Sequence, residues 1–159
     1  MFKSIRWWLF LCIGFYLAAV LMVLPLPQTM QWYRPQWVLM LFIYCQLVYP
    51  KTFNPVIAWV GGIFVDVLVG MPLGIHALVY TIVCYIASLL RTHFIMRPLW
   101  KQVGKIALFF CLSQILLLWC HALSGKNPHT LLYWMSTVTS CIFWVVFVKL
   151  LRPYTPRSI

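Results

Sequence analysis

Apolar residues fall into six blocks along this chain, separated by short stretches that carry proline, glycine and basic residues. The blocks lie at 7–24, 36–49, 55–69, 73–90, 103–123 and 131–151. A helix needs about 20 mostly apolar residues to cross a bilayer, so each block is a candidate span. The pattern predicts an all-α, polytopic membrane protein with six transmembrane helices in a single transmembrane domain, 1–159.

Three of the blocks need a closer look. The first follows Lys3 and Arg6 as a signal peptide would, but it is long and no small-x-small cleavage site follows it, so we read it as a retained span. The blocks 36–49 and 55–69 are short and must lie steeply or be partly buried by neighbours. Leaving out 36–49 gives five spans, but it places the very apolar stretch 38–48 in water.

Composition and charge support the membrane class. The chain is 64% hydrophobic and 8% charged, with twelve Lys and Arg against one acidic residue. Basic residues of a membrane protein concentrate on the cytoplasmic side. With six spans and both termini inside, only Arg34 and Lys126 lie outside. The remaining basic residues lie inside: Lys3, Arg6, Lys51, Arg91, Arg97, Lys101, Lys105, Lys149, Arg152 and Arg157. Because they lie between apolar blocks, they indicate topology rather than nucleic-acid binding.

The longest connection, 91–105, is basic. We expect it to lie on the cytoplasmic surface against anionic lipid headgroups, since such lipids attract basic segments next to a span. The residues that would make these contacts are Arg91, Arg97, Lys101 and Lys105.

A stripe of small and polar residues marks the block 55–69. Its members recur every four residues and therefore share one helix face: Asn54, Ala58, Gly62, Asp66 and Gly70. Small residues let helices approach closely in a membrane. Asp66 is the only acidic side chain in the sequence, and a charge there raises the free energy of insertion by roughly 2.5–3.5 kcal/mol. The stripe should therefore face protein or water rather than lipid.

A tight hairpin follows this block. Gly70 can end one helix and Pro72 can begin the next, with Gly74 in the turn and His76 in the first helical turn. Two interpretations of Asp66 stay open. It is a partner contact or a proton or ligand site, or it bonds either His76 or the amides that begin the next helix.

Catalytic and metal-binding chemistry is not indicated. The six cysteines lie inside apolar blocks without metal-ligand spacing, so we expect no metal, no cofactor and no disulfide framework. One carboxylate cannot supply an aspartyl-type protease, and neither H-E-x-x-H nor G-x-S-x-G occurs. The other polar residues inside the blocks are expected to bond between helices. They are Gln46, Thr81, Ser88, Ser113, Gln114, Ser136, Thr137, Thr139 and Ser140.

Two stretches resemble a known family. The first is Tyr33-Arg34-Pro35-Gln36-Trp37-Val38-Leu39, closed by Tyr49-Pro50. The second is Gly61-Gly62-x-x-x-Asp66-x-Leu68-x-Gly70-x-Pro72-Leu73-Gly74-x-His76. Together they resemble the rod shape-determining protein MreD family, except that Val67 stands where the family often has leucine.

The resemblance implies a non-enzymatic subunit of the bacterial cell-elongation machinery in the cytoplasmic membrane. That subunit would bind the single-span protein MreC and, in the wider complex, MreB, RodA and penicillin-binding protein 2, and it would support lateral peptidoglycan synthesis. The resemblance also implies a fold similar to the substrate-binding subunits of energy-coupling-factor transporters.

We therefore carry two hypotheses. In the first, a partner helix packs on residues of the stripe and hairpin: Asn54, Ala58, Gly62, Asp66, Gly70, Pro72, Gly74 and His76. The alternative is a subunit that binds or transports a small molecule at an outward-facing site near Asp66. That alternative requires a polar, ligand-sized cavity around Asp66 and His76. A third possibility, an intramembrane enzyme, would need a second acid or nucleophile beside Asp66.

Overall fold

The computed structural model describes residues 2–25, 27, 33–50, 52–91, 99–123 and 134–151. Within these ranges the chain forms six α-helices and no strand. The helices are α1 (Phe2–Val23), α2 (Trp37–Val48), α3 (Pro55–Val69), α4 (Ile75–Leu89), α5 (Leu99–Leu123) and α6 (Met135–Leu151). The predicted all-α class is confirmed for this part of the chain.

Two helices begin earlier than their apolar blocks. α1 starts at Phe2 instead of 7, and α5 starts at Leu99 instead of 103. Hydropathy marks only the apolar part of a helix, whereas lysine, arginine and glutamine are good helix formers and extend it beyond that part. The predicted basic connection is therefore helical from Leu99 onward. Its contacts with anionic headgroups stay a prediction, and Arg97 lies outside the described residues.

Only one described helix is long and apolar enough by itself to cross a membrane, namely Gln102–Ala122 with 21 residues. The other apolar helical stretches have 10–17 residues. Large apolar side chains are nevertheless exposed along several helices, among them Tyr16, Phe64 and Trp119. Contiguous apolar surface of this kind is unfavourable in water, so these faces support association with a membrane.

The core of the bundle is formed around α2. All residues from Val38 to Leu47 are buried. The ring of Phe42 stacks on Phe15 of α1 with centroids 5.9 Å apart and meets Tyr80 of α4 edge-on at the same distance. The expectation that neighbouring helices bury this short helix is confirmed, because α1 and α4 pack on two of its sides.

Two adjacent glycines of α3, Gly61 and Gly62, leave room for two different neighbouring helices. A Cβ atom on Gly61 would lie 2.8 Å from Cε2 of Phe42, and a Cβ atom on Gly62 would lie 2.5 Å from the backbone nitrogen of Ala77. Real Cβ atoms essentially never approach another atom that closely. Gly61 therefore makes room for a ring of α2, and Gly62 lets the backbones of α3 and α4 meet.

The α3–α4 turn is built on two glycines with left-handed backbone conformations, Gly70 (φ 68°) and Gly74 (φ 103°). Gly70 ends α3, as predicted. The prediction that Pro72 begins the next helix is wrong, because α4 begins at Ile75 with Gly74 as its N-cap. Glycine adopts this backbone conformation without the steric penalty of a Cβ atom.

Candidate functional site

The Asp66 carboxylate is fully buried and accepts three hydrogen bonds. Its Oδ2 accepts the backbone N–H of Gly74 at 2.8 Å. Its Oδ1 accepts the backbone N–H of His76 at 3.0 Å and lies 2.7 Å from His76 Nδ1. Since a carboxylate can only accept, Nδ1–H donates in this last contact. The end of the α3–α4 turn and the start of α4 are thus both bonded to the Asp66 side chain.

These bonds give Asp66 the role of a capping residue supplied from the neighbouring helix. The N-cap of α4 is Gly74, which has no side chain to bond the first amides. Asp66 provides that acceptor from α3 and places negative charge at the positive end of α4. The structural interpretation of Asp66 is confirmed, and its bonds fix the start of α4.

A cavity of about 570 Å³ lies beside His76. It is bounded by the end of α1, the segment before α2, the turn after α3 and parts of α4, α5 and α6. Its lining residues are Met22, Val23, Pro25, Arg34, Pro35, Gln36, Val69, Met71, His76, Tyr80, Gln114, Leu117, His121 and Ser136. Tyr80 and Gln114 are buried and mark its depth, with Gln114 about 10 Å from His121 along α5.

Among the residues that line the cavity, Arg34 and Gln36 are each held by two hydrogen bonds to other segments. Arg34 donates from its two terminal nitrogens to the carbonyls of Met22 and Leu24, the latter at 2.6 Å, and so caps the end of α1. Gln36 accepts from Ser113 Oγ at 2.9 Å and donates its backbone N–H to Ser140 Oγ at 2.9 Å. The segment before α2 is thereby tied to α1, α5 and α6.

Two residues of the lining each have one buried polar atom without a hydrogen-bond partner in the described part of the chain. These atoms are Arg34 Nε and Gln114 Oε1. Both atoms are closed to solvent, so neither is exposed on the wall of the cavity. His76 uses Nδ1 for Asp66, so only its Nε2 remains to bond another group. In the described part of the chain, no three metal-binding side chains lie together.

The predicted partner residues separate into two groups. Ala58, Gly62, Asp66 and His76 are buried inside the chain. Asn54, Gly70 and Pro72 are exposed, and Gly74 is partly exposed. α4 covers the middle of the stripe. The close helix–helix contact that the small residues of the stripe allow is therefore made with α4 of the same chain. Partner binding by the accessible group stays a prediction.

The polar residues expected to bond between helices also divide. Ser113 and Ser140 bond Gln36, and Ser136 donates to the Arg34 carbonyl at 2.7 Å. The expectation was wrong for Thr81, Ser88 and Thr139, whose hydroxyls bond carbonyls of their own helices. A hydroxyl in a helix can always reach the carbonyl one turn back, so composition alone does not separate the two cases.

Sequence reasoning missed the role of Arg34 and Gln36 in the cavity. The sequence predicts only an outer-loop charge at Arg34 and the start of a span at Gln36. One signal was present: Arg34 is predicted on the outer side of a chain whose single acidic side chain lies 32 positions away. An arginine with no nearby acid is a candidate to meet backbone carbonyls or an anion.

The sequence of this chain matches a known protein family. The profile of the family described as rod shape-determining protein MreD matches residues 2–154. The rod shape-determining protein MreD of Haemophilus influenzae is 29% identical over 117 residues, which cover 72% of this chain and 71% of that protein. No solved structure matches the fold. The expected likeness to energy-coupling-factor subunits therefore stays a prediction.

Proposed function

This chain belongs to the rod shape-determining protein MreD family, and from that premise we propose that it is a non-enzymatic subunit of the bacterial cell-elongation complex. In this role it binds MreC and, through the wider assembly, works with MreB, RodA and penicillin-binding protein 2 in lateral peptidoglycan synthesis. The observation that carries the proposal is the family match over nearly the whole length of the chain.

The proposed location is the bacterial inner membrane, with six spans and both termini in the cytoplasm. The exposed apolar faces and the 21-residue helix Gln102–Ala122 support it. The cavity would then lie on the outer side, together with the ends of α1, α3 and α5. Exposed Tyr33 and Trp134 near that end suit the aromatic belt of a membrane interface.

The proposed partner surface is the outer face of α3 with the adjoining turn. α4 covers the inner face, while Phe64 and Val67 are exposed on the opposite side and Trp59 is exposed beside the stripe. A partner helix lying there would also reach Asn54 at one end and Gly70 and Pro72 at the other. Aromatic side chains supply large contact areas at such an interface.

Site-specific photo-crosslinking in native membranes tests this surface. We expect a crosslinker at Phe64 or Val67 to capture MreC, and a crosslinker at Ile142 or Val146 of α6, which are as exposed, to capture much less. Depletion of the protein should make rod-shaped cells round, and MreC should co-purify with the tagged chain. Failure to recover MreC from membranes that contain both proteins would contradict the proposal.

We also propose a second function, the binding of a small molecule on the outer side. One observation favours it: the cavity beside His76, with Asp66 directly behind the imidazole. Retention of a bound small molecule by the purified protein tests this function. A protein that retains none, and that no added compound stabilises, would contradict it.

A further inference from the structure

The helices of this chain differ in the thickness of hydrocarbon that each can cross. The apolar stretch Gln102–Ala122 of α5 has 21 residues, about 32 Å of helix, and matches a hydrocarbon core of about 30 Å. α3 and α4 have 15 residues each, which is about 22 Å of helix. α2 is shorter, but its residues from Val38 to Leu47 are buried and do not face lipid. The largest mismatch with a bilayer therefore lies at the α3–α4 hairpin.

The hairpin has an apolar face on α4 as well as on α3. The exposed side chains Leu78, Tyr85 and Leu89 follow one another at intervals of seven and four residues. At this spacing they lie on one side of the helix. The surface proposed for the partner is on α3, so in a membrane lipid covers this side of α4.

Polar residues fix the inner end of the hairpin in the proposed six-span topology. Asn54, the N-cap of α3, is exposed. Arg91 follows the C-cap of α4, and its Nε donates to the Leu47 carbonyl at 2.9 Å. A guanidinium is always charged, and a charge is costly within hydrocarbon. This end of the hairpin therefore stays at the level of the inner headgroups.

The outer end of the hairpin is an exposed turn, 70–74. Leu73 is 71% exposed and Pro72 is exposed, so the described chain does not cover the turn. Irregular backbone that faces lipid is not tolerated within hydrocarbon, because its N–H and C=O groups find no partners there. The bonds from Asp66 to the amides of Gly74 and His76 fix the start of α4, so the turn does not convert into further helix. The turn therefore stays at the outer headgroups.

We propose that the hairpin thins the bilayer beside it and that phospholipids with short acyl chains cover α4. The proposal rests on the membrane location given under the proposed function. With the turn included, the apolar length of the hairpin is about 22–26 Å, so the hydrocarbon beside it is about 4–8 Å thinner than usual. Local thinning is one of the ways in which a bilayer accommodates a short span.

The other ways are flanking side chains that reach the headgroups, and association with another protein. At the outer end, Arg34 does not serve as such a flanking side chain, because its terminal nitrogens bond the carbonyls of Met22 and Leu24. The turn 70–74 itself contains neither lysine nor arginine. Thinning is thus the response that the described residues favour, and association is an outcome of the test.

Lipid competition with the full purified chain tests the proposal. The chain is reconstituted into vesicles that contain equal amounts of dimyristoleoyl- and dierucoylphosphatidylcholine, which share a headgroup and differ in chain length. Patches cut out with an amphipathic polymer keep the lipids next to the protein. We expect the short-chain lipid to be enriched about twofold in these patches over the vesicle average.

Two substitutions at one exposed position assign the enrichment to the hairpin. Leu73→Lys adds a side chain that reaches the headgroups from the turn, and it should lower the enrichment by about half. Leu73→Met is the matched control, because it has a similar size and no charge, and it should leave the enrichment unchanged. Since Leu73 is 71% exposed, neither change disturbs the core.

Hydrogen exchange locates the turn relative to the bilayer surface. In vesicles of dimyristoleoyl-, dioleoyl- or dierucoylphosphatidylcholine alone, the Leu73 amide should exchange equally fast, because the bilayer follows the turn. Exchange that slows as the acyl chains lengthen would show that the turn sinks into hydrocarbon, and it would overturn the proposal.

The remaining outcomes are also decisive. Equal amounts of the two lipids in the patches overturn the thinning while the protein's membrane location stands. Crosslinked dimers in dierucoylphosphatidylcholine without lipid enrichment show that a second copy covers the hairpin, and they overturn lipid as its occupant. A chain that does not enter vesicles of any of these lipids contradicts the membrane location, and the thinning is then overturned with it.

Discussion

The two polar regions at one end of this bundle differ in how completely the chain satisfies them. In the α3–α4 hairpin, the Asp66 carboxylate accepts three hydrogen bonds and Gly62 brings the two backbones together. Among the residues that line the neighbouring cavity, Arg34 and Gln114 have buried atoms, Nε and Oε1, without a hydrogen-bond partner in the described part of the chain. The regions share a wall at His76, which bonds Asp66 on one side and lines the cavity on the other.

The difference separates two uses of buried polar groups. A fully satisfied, tightly packed group stabilises one arrangement of the chain and has no capacity left for a ligand. A group left unsatisfied inside a cavity keeps that capacity, at some loss of stability. The residue that looks most functional in the sequence, Asp66, thus belongs to the scaffold. Arg34 and Gln114, which stand out less in the sequence, line the cavity of the second proposed function.

Removal of the Asp66 carboxylate should lower the free energy of unfolding more than any change on the cavity side. Asp66→Ala leaves the amides of Gly74 and His76 and the imidazole without an acceptor. We expect a loss of about 3–5 kcal/mol in the free energy of unfolding, the range for breaking a buried pair. Equilibrium unfolding in mixed micelles measures it. Asn54→Ala, at the exposed end of the same stripe, should change stability by less than about 0.5 kcal/mol. Equal effects of the two would contradict the scaffold role of Asp66.

A methyl group in the hairpin should have the next largest effect. Gly62→Ala places a Cβ atom 2.5 Å from the Ala77 nitrogen and must separate α3 from α4, at about 1–3 kcal/mol. The matched change is Gly104→Ala in α5, where a Cβ atom meets nothing within 4 Å and should stabilise the helix by about 0.5–1 kcal/mol. Thermal unfolding of the two variants tests this. A Gly62→Ala protein as stable as the unmodified one would show that the close approach is unimportant.

The smallest loss of stability is expected from removing a hydrogen bond beside the cavity. Ser140→Ala removes the acceptor of the Gln36 N–H and should lower stability by about 1 kcal/mol. Thr139→Ala, which removes bonds only within α6, should change it by less than half as much. Because Gln36 lines the cavity, Ser140→Ala should also weaken ligand retention, and that readout separates it from a purely local loss.

Prediction from the sequence succeeded where a residue leaves few physical alternatives. A lone carboxylate inside an apolar block must find donors, and the nearest are the amides of the following helix and His76. The glycine at position 70 likewise marked the end of α3. The prediction that Pro72 begins α4 was wrong, because proline suits both a turn and a first helical position. The left-handed backbone of Gly74 places the start of the helix after it.

The cavity and the centre of the bundle could not be predicted in the same way. Lipid and protein interior are equally apolar, so hydropathy does not distinguish buried α2 from the exposed face of α1. The cavity brings together side chains from positions 22 to 136, and its existence depends on packing rather than on any local pattern. Arg34 and Gln114 become neighbours of one space only in the folded chain.

The Asp66 bonds also bear on how the chain enters the bilayer during synthesis. An isolated α3 would carry an unsatisfied carboxylate into hydrocarbon, whereas the donors that satisfy it lie only eight and ten residues further along. The smallest piece of this protein that can enter lipid with Asp66 satisfied is therefore the α3–α4 pair with its turn. We expect the insertion machinery to release these two helices together, with the hairpin already closed.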